Sequence, residues 1–204
     1  MNEDVIIIGA SGHGTVIADI VLRSGDRVLG FLDDNPHAPQ TICGFPLLGK
    51  TTDFVRYPEA RFIIAIGNAA IRRRLSQQMS SVRWYTAIHP AAVISSLNVT
   101  IGEGSVIGAG AVVNPGATVG KHCIVNTNAA VEHDCTLGDY VHISVAAALG
   151  GTVTIGDESW IGIGACVRNN LTICPGVTVG AGAAVVKNIT EPGTYIGVPA
   201  RKML

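Results

Sequence analysis

From Ile101 to Val185 an aliphatic residue stands at every sixth position, fifteen times without a break: Ile101, Ile107, Val113, Val119 and so on to Val179 and Val185. Gly follows the aliphatic in eight of these fifteen hexads, and the residue two places before it is small or aliphatic, as at Val99, Ser105, Ala111, Ala117, Cys123, Ala129 and Cys135. A helix repeats every 3.6 residues and an ordinary strand every 2, so neither produces this pattern. Short strands joined by tight corners do, with the aliphatic pointing inward and Gly or Asn tolerating the turn conformation. The spacing therefore predicts a left-handed parallel β-helix built from hexapeptide repeats. With stacked strands about 4.8 Å apart, five coils of three hexads make a prism roughly 24 Å long.

Composition fits such a prism. Of 204 residues 48% are hydrophobic but only 5% aromatic, and 25 are Gly, so the core must be packed from Val, Ile and Ala. Charge is sparse and balanced. Residues 1–88 carry nine Lys/Arg against eight Asp/Glu, and residues 89–204 five against seven, which offers no nucleic-acid surface. The one cationic run, Arg72-Arg73-Arg74, reads as a solvated helix face. Residues 84–102 lack charge but contain His89, Pro90 and Asn98, so membrane insertion is not expected, and the N-terminus lacks the basic region of a signal peptide. Five cysteines without CxxC spacing suit a reducing cytoplasm. Cys123 and Cys135 occupy small-residue positions and are expected to be inert packing. The prism's flat apolar faces exceed what a monomer usually exposes, so self-association about a threefold axis is expected.

Residues 1–88 read as a small Rossmann-like α/β mononucleotide-binding unit, and 89–204 as the β-helix domain. Val5–Ile8 is a buried strand, followed by Gly9-Ala10-Ser11-Gly12-His13-Gly14 and a helix through Val16, Ile20 and Val21. A glycine-rich strand-to-helix turn brings backbone N–H groups and the helix dipole close to an anion. Val28–Leu32 is a second strand ending at Asp33-Asp34, where a ribose-binding acid would sit. Phe62–Ile66 is a third, ending at Gly67-Asn68 before a short helix over 69–79, and Val82–Tyr85 is a further strand candidate. Only three or four strands fit. The loop spells GxxGxG, not the dinucleotide GxGxxG, so a nucleotide-diphosphate site and a plain tight turn both remain open.

At the middle of the prism Glu132-His133-Asp134-Cys135 follows the inward Val131. His133 should point outward at a corner, and one coil of eighteen residues further on lies Gly151, whose bare backbone would leave room for a ligand. Imidazole is suited to take a proton near neutral pH, and an adjacent carboxylate, Asp134 or Glu132, can fix its tautomer. A solvated corner histidine with acidic neighbours is the plainer alternative. His142 lies one coil from Trp160 and could simply pack on it.

Taken together, the hexads, GASGHG at 9–14, FLDD at 31–34, AIGN at 65–68, VEHDC at 131–135 and IGVPAR at 196–201 resemble the bacterial sugar O/N-acetyltransferases. That family includes N-acetyltransferases of the bacillosamine and perosamine pathways and sialic acid O-acetyltransferases. The resemblance implies a homotrimer with active sites between subunits and acetyl-coenzyme A in the groove between prisms, with no metal. It makes His133 the general base and Asp134 its orienting partner. Asn126 would touch the sugar near the acceptor amine, His142 would lie against the acetyl group, and the Gly151 N–H would hold the thioester oxygen. Ile163, Ala181 and Lys187 would bind the coenzyme, with Arg201 near its phosphates. Ser11, Gly12, His13, Asp33, Asp34 and Asn68 would bind the nucleotide sugar. AIGN followed by an Ile-Arg helix resembles the branch acting on the amino group of a UDP-linked 4-amino-4,6-dideoxy sugar, with GDP-perosamine and sialic acid as alternatives. Two other classes stand beside this one. A γ-type carbonic-anhydrase-like zinc enzyme would draw on His122, His133 and His142, and a non-catalytic trimeric scaffold would keep all its properties without His133.

Overall fold

The computed structural model describes residues 2–203. The chain divides into two compact units, Met1–Pro90 and Ala91–Leu204.

In the first unit, β1 (Asp4–Ile8), α1 (Gly12–Arg23), β2 (Arg27–Leu32), β3 (Thr41–Ile42), β4 (Phe45–Gly49), β5 (Arg61–Ile64), α2 (Ala69–Gln78) and β6 (Arg83–Trp84) follow in order, with a 3-10 turn at Thr51–Arg56. They build one six-stranded sheet in the order β3-β4-β2-β1-β5-β6, parallel except for the edge strand β3. A strand covered on both faces reads as a continuous apolar run. Val5, Ile6, Ile7 and Ile8 are all fully buried accordingly. The six strands exceed the expected three or four because of the 41–49 hairpin. Pro46 inside Phe45–Gly49 argues against a strand, yet β4 pairs with both β2 and β3. Its two-residue turn, Cys43-Gly44, has positive φ at both positions (49° and 86°), the geometry that matches strand twist. The helix after β1 forms as expected, but it buries Ile17, Ala18, Ile20 and Val21 and leaves Val16 exposed.

The second unit is a parallel β-helix. Two-residue strands recur every six residues and pair with strands eighteen residues away, as in Val112↔Ala130 and Thr118↔Thr136. The face with strands at 100–101, 118–119, 136–137, 154–155 and 172–173 is a five-stranded sheet, one strand for each of the five expected coils, while the face running from Val93–Ile94 to Ala184–Val185 carries six. The inward aliphatics are buried, Val113, Val125, Val131, Ile143 and Ile161 fully. Each such burial removes about 1.5–3 kcal/mol of apolar exposure.

The corners differ from the sequence expectation in one respect. From Ile101 to Val179 the left-handed conformation falls three residues after each aliphatic, not at the Gly that follows it. Gly104, Gly110 and Gly116 hold it, but so do His122, Asn128, Asp134, Tyr140 and Ala146, all with φ between 51° and 73°. The Gly after the aliphatic is required by close stacking instead. A Cβ on Gly120 would lie 2.6 Å from the backbone carbon of Gly138 in the next coil. Backbone cannot step aside, so Gly120→Ala is expected to cost about 1–3 kcal/mol of unfolding free energy. Chemical denaturation of the variant checks this.

Read every eighteen residues, the outward positions give each face its own chemistry. One face presents Thr100, Thr118, Thr136, Thr154 and Thr172, all exposed. A second presents the small apolar column Val93, Val112, Ala130, Ala148, Cys166 and Ala184. The third carries Val106 and Ile124, which are buried, followed by His142, Trp160 and Thr178.

Candidate active site

His133 rises from the corner between the small apolar face and the threonine face. Its ring Nδ1 lies 2.9 Å from Asp134 Oδ2. Asp134 occupies the left-handed corner position (φ 58°), a conformation that aspartate tolerates, and this turns its carboxylate back onto the preceding ring. Glu132 is committed elsewhere: its Oε2 accepts from the His133 backbone N–H at 3.2 Å. Of the two candidate carboxylates, Asp134 is therefore the one that meets the imidazole. With Nδ1–H donated to a carboxylate, Nε2 carries the lone pair.

That Nε2 stands over Gly151. A Cβ at position 151 would run into Nε2 and lie 2.6 Å from the ring's Cε1. The bare glycine leaves room for the His133 ring itself, where the sequence suggested room for a ligand. The Gly151 N–H donates to no acceptor among the described residues, whereas Gly150 N–H is spent on Val167. Beside them Cys135 is fully buried, its Sγ 3.2 Å from the Gly150 carbonyl, and burial pushes its thiol pKa up. A buried, protonated thiol is a poor nucleophile.

Asn126 and His142 come together on the third face and its border. Asn126 Nδ2 lies 3.4 Å from His142 Nε2, and the imidazole stacks parallel on Trp160 with centroids 5.5 Å apart. His133 stands on the edge opposite this face. Alongside runs an outward column one coil apart, Val145, Ile163 and Ala181, of which Ile163 is 61% exposed. Lys187 is exposed just beyond the Ala184–Val185 strand, and Arg201 lies in the terminal Arg201–Lys202 strand. The stacking of His142 on Trp160 is the packing that their one-coil spacing suggested. Val145 escaped the sequence reading, although stepping back by eighteen from Ile163 finds it.

In the first unit, the expected nucleotide residues converge at the carboxyl ends of β1, β2 and β5, the switch point where α/β sheets bind ligands. Ser11 caps α1 with its hydroxyl unspent, and a Cβ at Gly12 would meet nothing within 4 Å. Gly9 and Gly14 are needed for another reason, since a Cβ on Gly14 would collide with the Gly9 carbonyl. Asp33 accepts from the Ala10 N–H at 2.6 Å and the Asn35 N–H at 2.8 Å, tying the glycine-rich loop to β2. Asp34 accepts both N–H and O–H of Thr51. Asn68 caps α2 through the Ile71 N–H. His13 has its pKa lowered to about 4, by burial first and the Arg72 charge second, so it is neutral at pH 7. Arg72 corrects the solvated-face reading of 72–74: it is 1% exposed and donates to the carbonyls of Ile66 and Gly67. Arg74 lines a cleft of about 160 Å³ with Gly9, Asp33, Asp34 and Ile66. A larger cleft of about 400 Å³ adjoins it through Asp33 and Asp34 and reaches Leu47, Lys50 and Asp53.

Among the described residues no three His, Cys, Asp or Glu side chains are grouped to hold a metal ion, and no helix is long and apolar enough to cross a membrane. His122, one of the three histidines a shared zinc would need, is 3% exposed and stacks on Tyr140 with centroids 5.4 Å apart.

Known proteins match both units. Residues 4–79 match the PglD N-terminal domain family and residues 98–132 the bacterial transferase hexapeptide family. The acetyltransferase domain of PglB from Neisseria gonorrhoeae FA1090, solved with acetyl coenzyme A, is 40% identical over 100% of both chains, with a TM-score of 0.94. PerB from Caulobacter crescentus, solved with CoA and GDP-perosamine, is 34% identical over 98% of this chain and 97% of its own, with a TM-score of 0.92. The UDP-N-acetylbacillosamine N-acetyltransferase of Bacillus subtilis (strain 168) is 38% identical over 113 residues, 52% of this chain and 51% of the relative. The chain spans about half or less of the length of the curated relatives it matches.

Proposed function

The chain belongs to the bacterial sugar O/N-acetyltransferases that join a PglD-type domain to a hexapeptide β-helix, and on that premise we propose that it transfers the acetyl group of acetyl-coenzyme A to the amino group of a nucleotide-linked amino-dideoxy sugar. The observation that carries this reading is the His133–Asp134 pair, whose geometry leaves Nε2 as a free base beside the unspent N–H of Gly151. A neutral amine held against the thioester carbon attacks, His133 takes its proton, and the Gly151 N–H stabilises the oxyanion. Collapse of the tetrahedral adduct releases the coenzyme A thiol, and no acyl-enzyme is needed.

The N-terminal unit supplies the nucleotide site, with the diphosphate on the unspent N–H groups at the start of α1. Neutral His13 offers a hydrogen bond there without adding charge. Ile163, Ala181 and Val145 offer the pantetheine arm an apolar track, and Lys187 a charge for the phosphates. We place the reaction in the cytoplasm, where acetyl-coenzyme A is supplied.

The placement of these groups supports a homotrimer. His133 and the Asn126–His142 pair stand on opposite sides of one prism, so a neighbouring copy is needed to bring one against the other. The column Ala130, Ala148, Cys166 is small and flat enough to seat that neighbour. Ala148→Glu is expected to dissociate the trimer and lower activity at least tenfold, because burying an unpaired carboxylate in the contact is costly. Sedimentation of the variant checks it.

The acceptor we favour is UDP-4-amino-4,6-dideoxy-N-acetylglucosamine. Coenzyme A release measured against this sugar, GDP-perosamine and sialic acid tests the assignment. Turnover fastest with the UDP sugar supports it. Preference for GDP-perosamine or sialic acid would replace the acceptor, and no turnover with any would remove the reading.

A further inference from the structure

We infer that Trp160 is a positioning residue for acetyl transfer, acting through His142 and Asn126; this rests on the acetyltransferase reading above. Asn126 Oδ1 accepts from the Thr127 N–H at 2.8 Å, which fixes the amide so that its Nδ2 faces His142. The contact of Nδ2 with His142 Nε2 at 3.4 Å therefore makes that nitrogen the acceptor. The imidazole plane in turn lies parallel to the Trp160 indole, with 2° between the planes. The indole is itself anchored, because its N–H donates to Ser144 Oγ at 2.6 Å.

Ser144 is buried and lies two residues beyond His142, just past the His142–Ile143 strand. Trp160, one coil away, thus grips that strand at two points, its ring over His142 and its N–H on Ser144. An imidazole on an outward β position turns freely about its second torsion unless something covers its face. Here the indole covers it. The Asn126 amide, which the reading above places beside the acceptor amine, is then held from two ends, by the Thr127 N–H and by the His142 ring that Trp160 and Ser144 keep in place. Trp160 is 47% exposed, so its ring gives the core little burial in return. A misplacement of about 1 Å in reacting groups is enough to cost two orders of magnitude in rate.

The test compares Trp160→Ala, Trp160→Phe and Ser144→Ala by coenzyme A release. Trp160→Ala is expected to lower kcat about 10- to 100-fold with KM for acetyl-coenzyme A within about threefold, the split of an alignment defect. Trp160→Phe keeps a stacking ring and is expected to recover kcat to within about threefold of the parent, as is Ser144→Ala, which loses only the anchoring bond. A second readout is spectroscopic. The chain has two tryptophans, and Trp84 belongs to the core of the other unit. In a Trp84→Phe background the emission of Trp160 is expected to shift saturably with acetyl-coenzyme A, and the shift to be lost in His142→Ala. A Trp160→Ala enzyme with kcat within about twofold of the parent overturns the inference. So does a Trp160→Ala protein that has lost its assembly, or emission indifferent to acetyl-coenzyme A. Failure of the acetyltransferase reading itself looks different, since the parent enzyme would then release no coenzyme A with any nucleotide amino sugar.

Discussion

Replacing His133 by alanine is expected to lower kcat for acetyl transfer by about 10²–10⁴-fold, the usual worth of a positioned general base. The melting temperature should stay within about 2 °C of the parent, because a side chain this exposed contributes little to packing. Coenzyme A release under saturating substrates, beside a thermal melt, reads both quantities. The size of the loss follows from how the ring is held. Nδ1 is committed to Asp134, so one ring nitrogen remains to take the proton. Buried Cys135 offers no alternative, because its thiol stays protonated. Turnover retained in the variant would remove His133 from the mechanism and favour a scaffold.

Gly151→Ala is expected to lower kcat about 10- to 100-fold without touching the base itself, because a misplaced base is nearly as poor as a missing one. The added methyl would occupy the position of His133 Nε2, and the exposed ring can escape it by swinging toward solvent. Stability should therefore change little. Gly120→Ala presents the opposite case, since the obstacle there is the Gly138 backbone and the cost falls on folding. Measuring kcat and melting temperature for the pair separates the two kinds of glycine. A Gly151→Ala enzyme as fast as the parent would mean that the ring does not work from the position it holds here.

Much of this architecture is legible from the six-residue period alone. The inward positions admit only aliphatics, so the sequence carries the prism in plain view. The corners are less legible. At His122, Tyr140 and Ala146 the left-handed turn is imposed by the coils above and below, against local preference, so no turn residue marks it. The faces were missed for a different reason. Counting by six mixes three kinds of outward position, and only a count by eighteen separates the threonines from the alanines and from His142 and Trp160. In the N-terminal unit, Pro46 disguised a strand, and the Arg72-Arg73-Arg74 run hid one arginine that is buried as a structural donor. The His133–Asp134 adjacency was visible as a motif. That Asp134 and not Glu132 takes the ring depends on the corner conformation, which only the fold supplies.

Incubation with acetyl-coenzyme A carrying a labelled acetyl group, together with the UDP-linked amino sugar, tests the central claim most directly. The predicted result is label on the sugar amide nitrogen, one coenzyme A released per amide formed, and no labelled protein at any time. Label on the protein, or coenzyme A released without an acetylated sugar, would contradict direct transfer by His133.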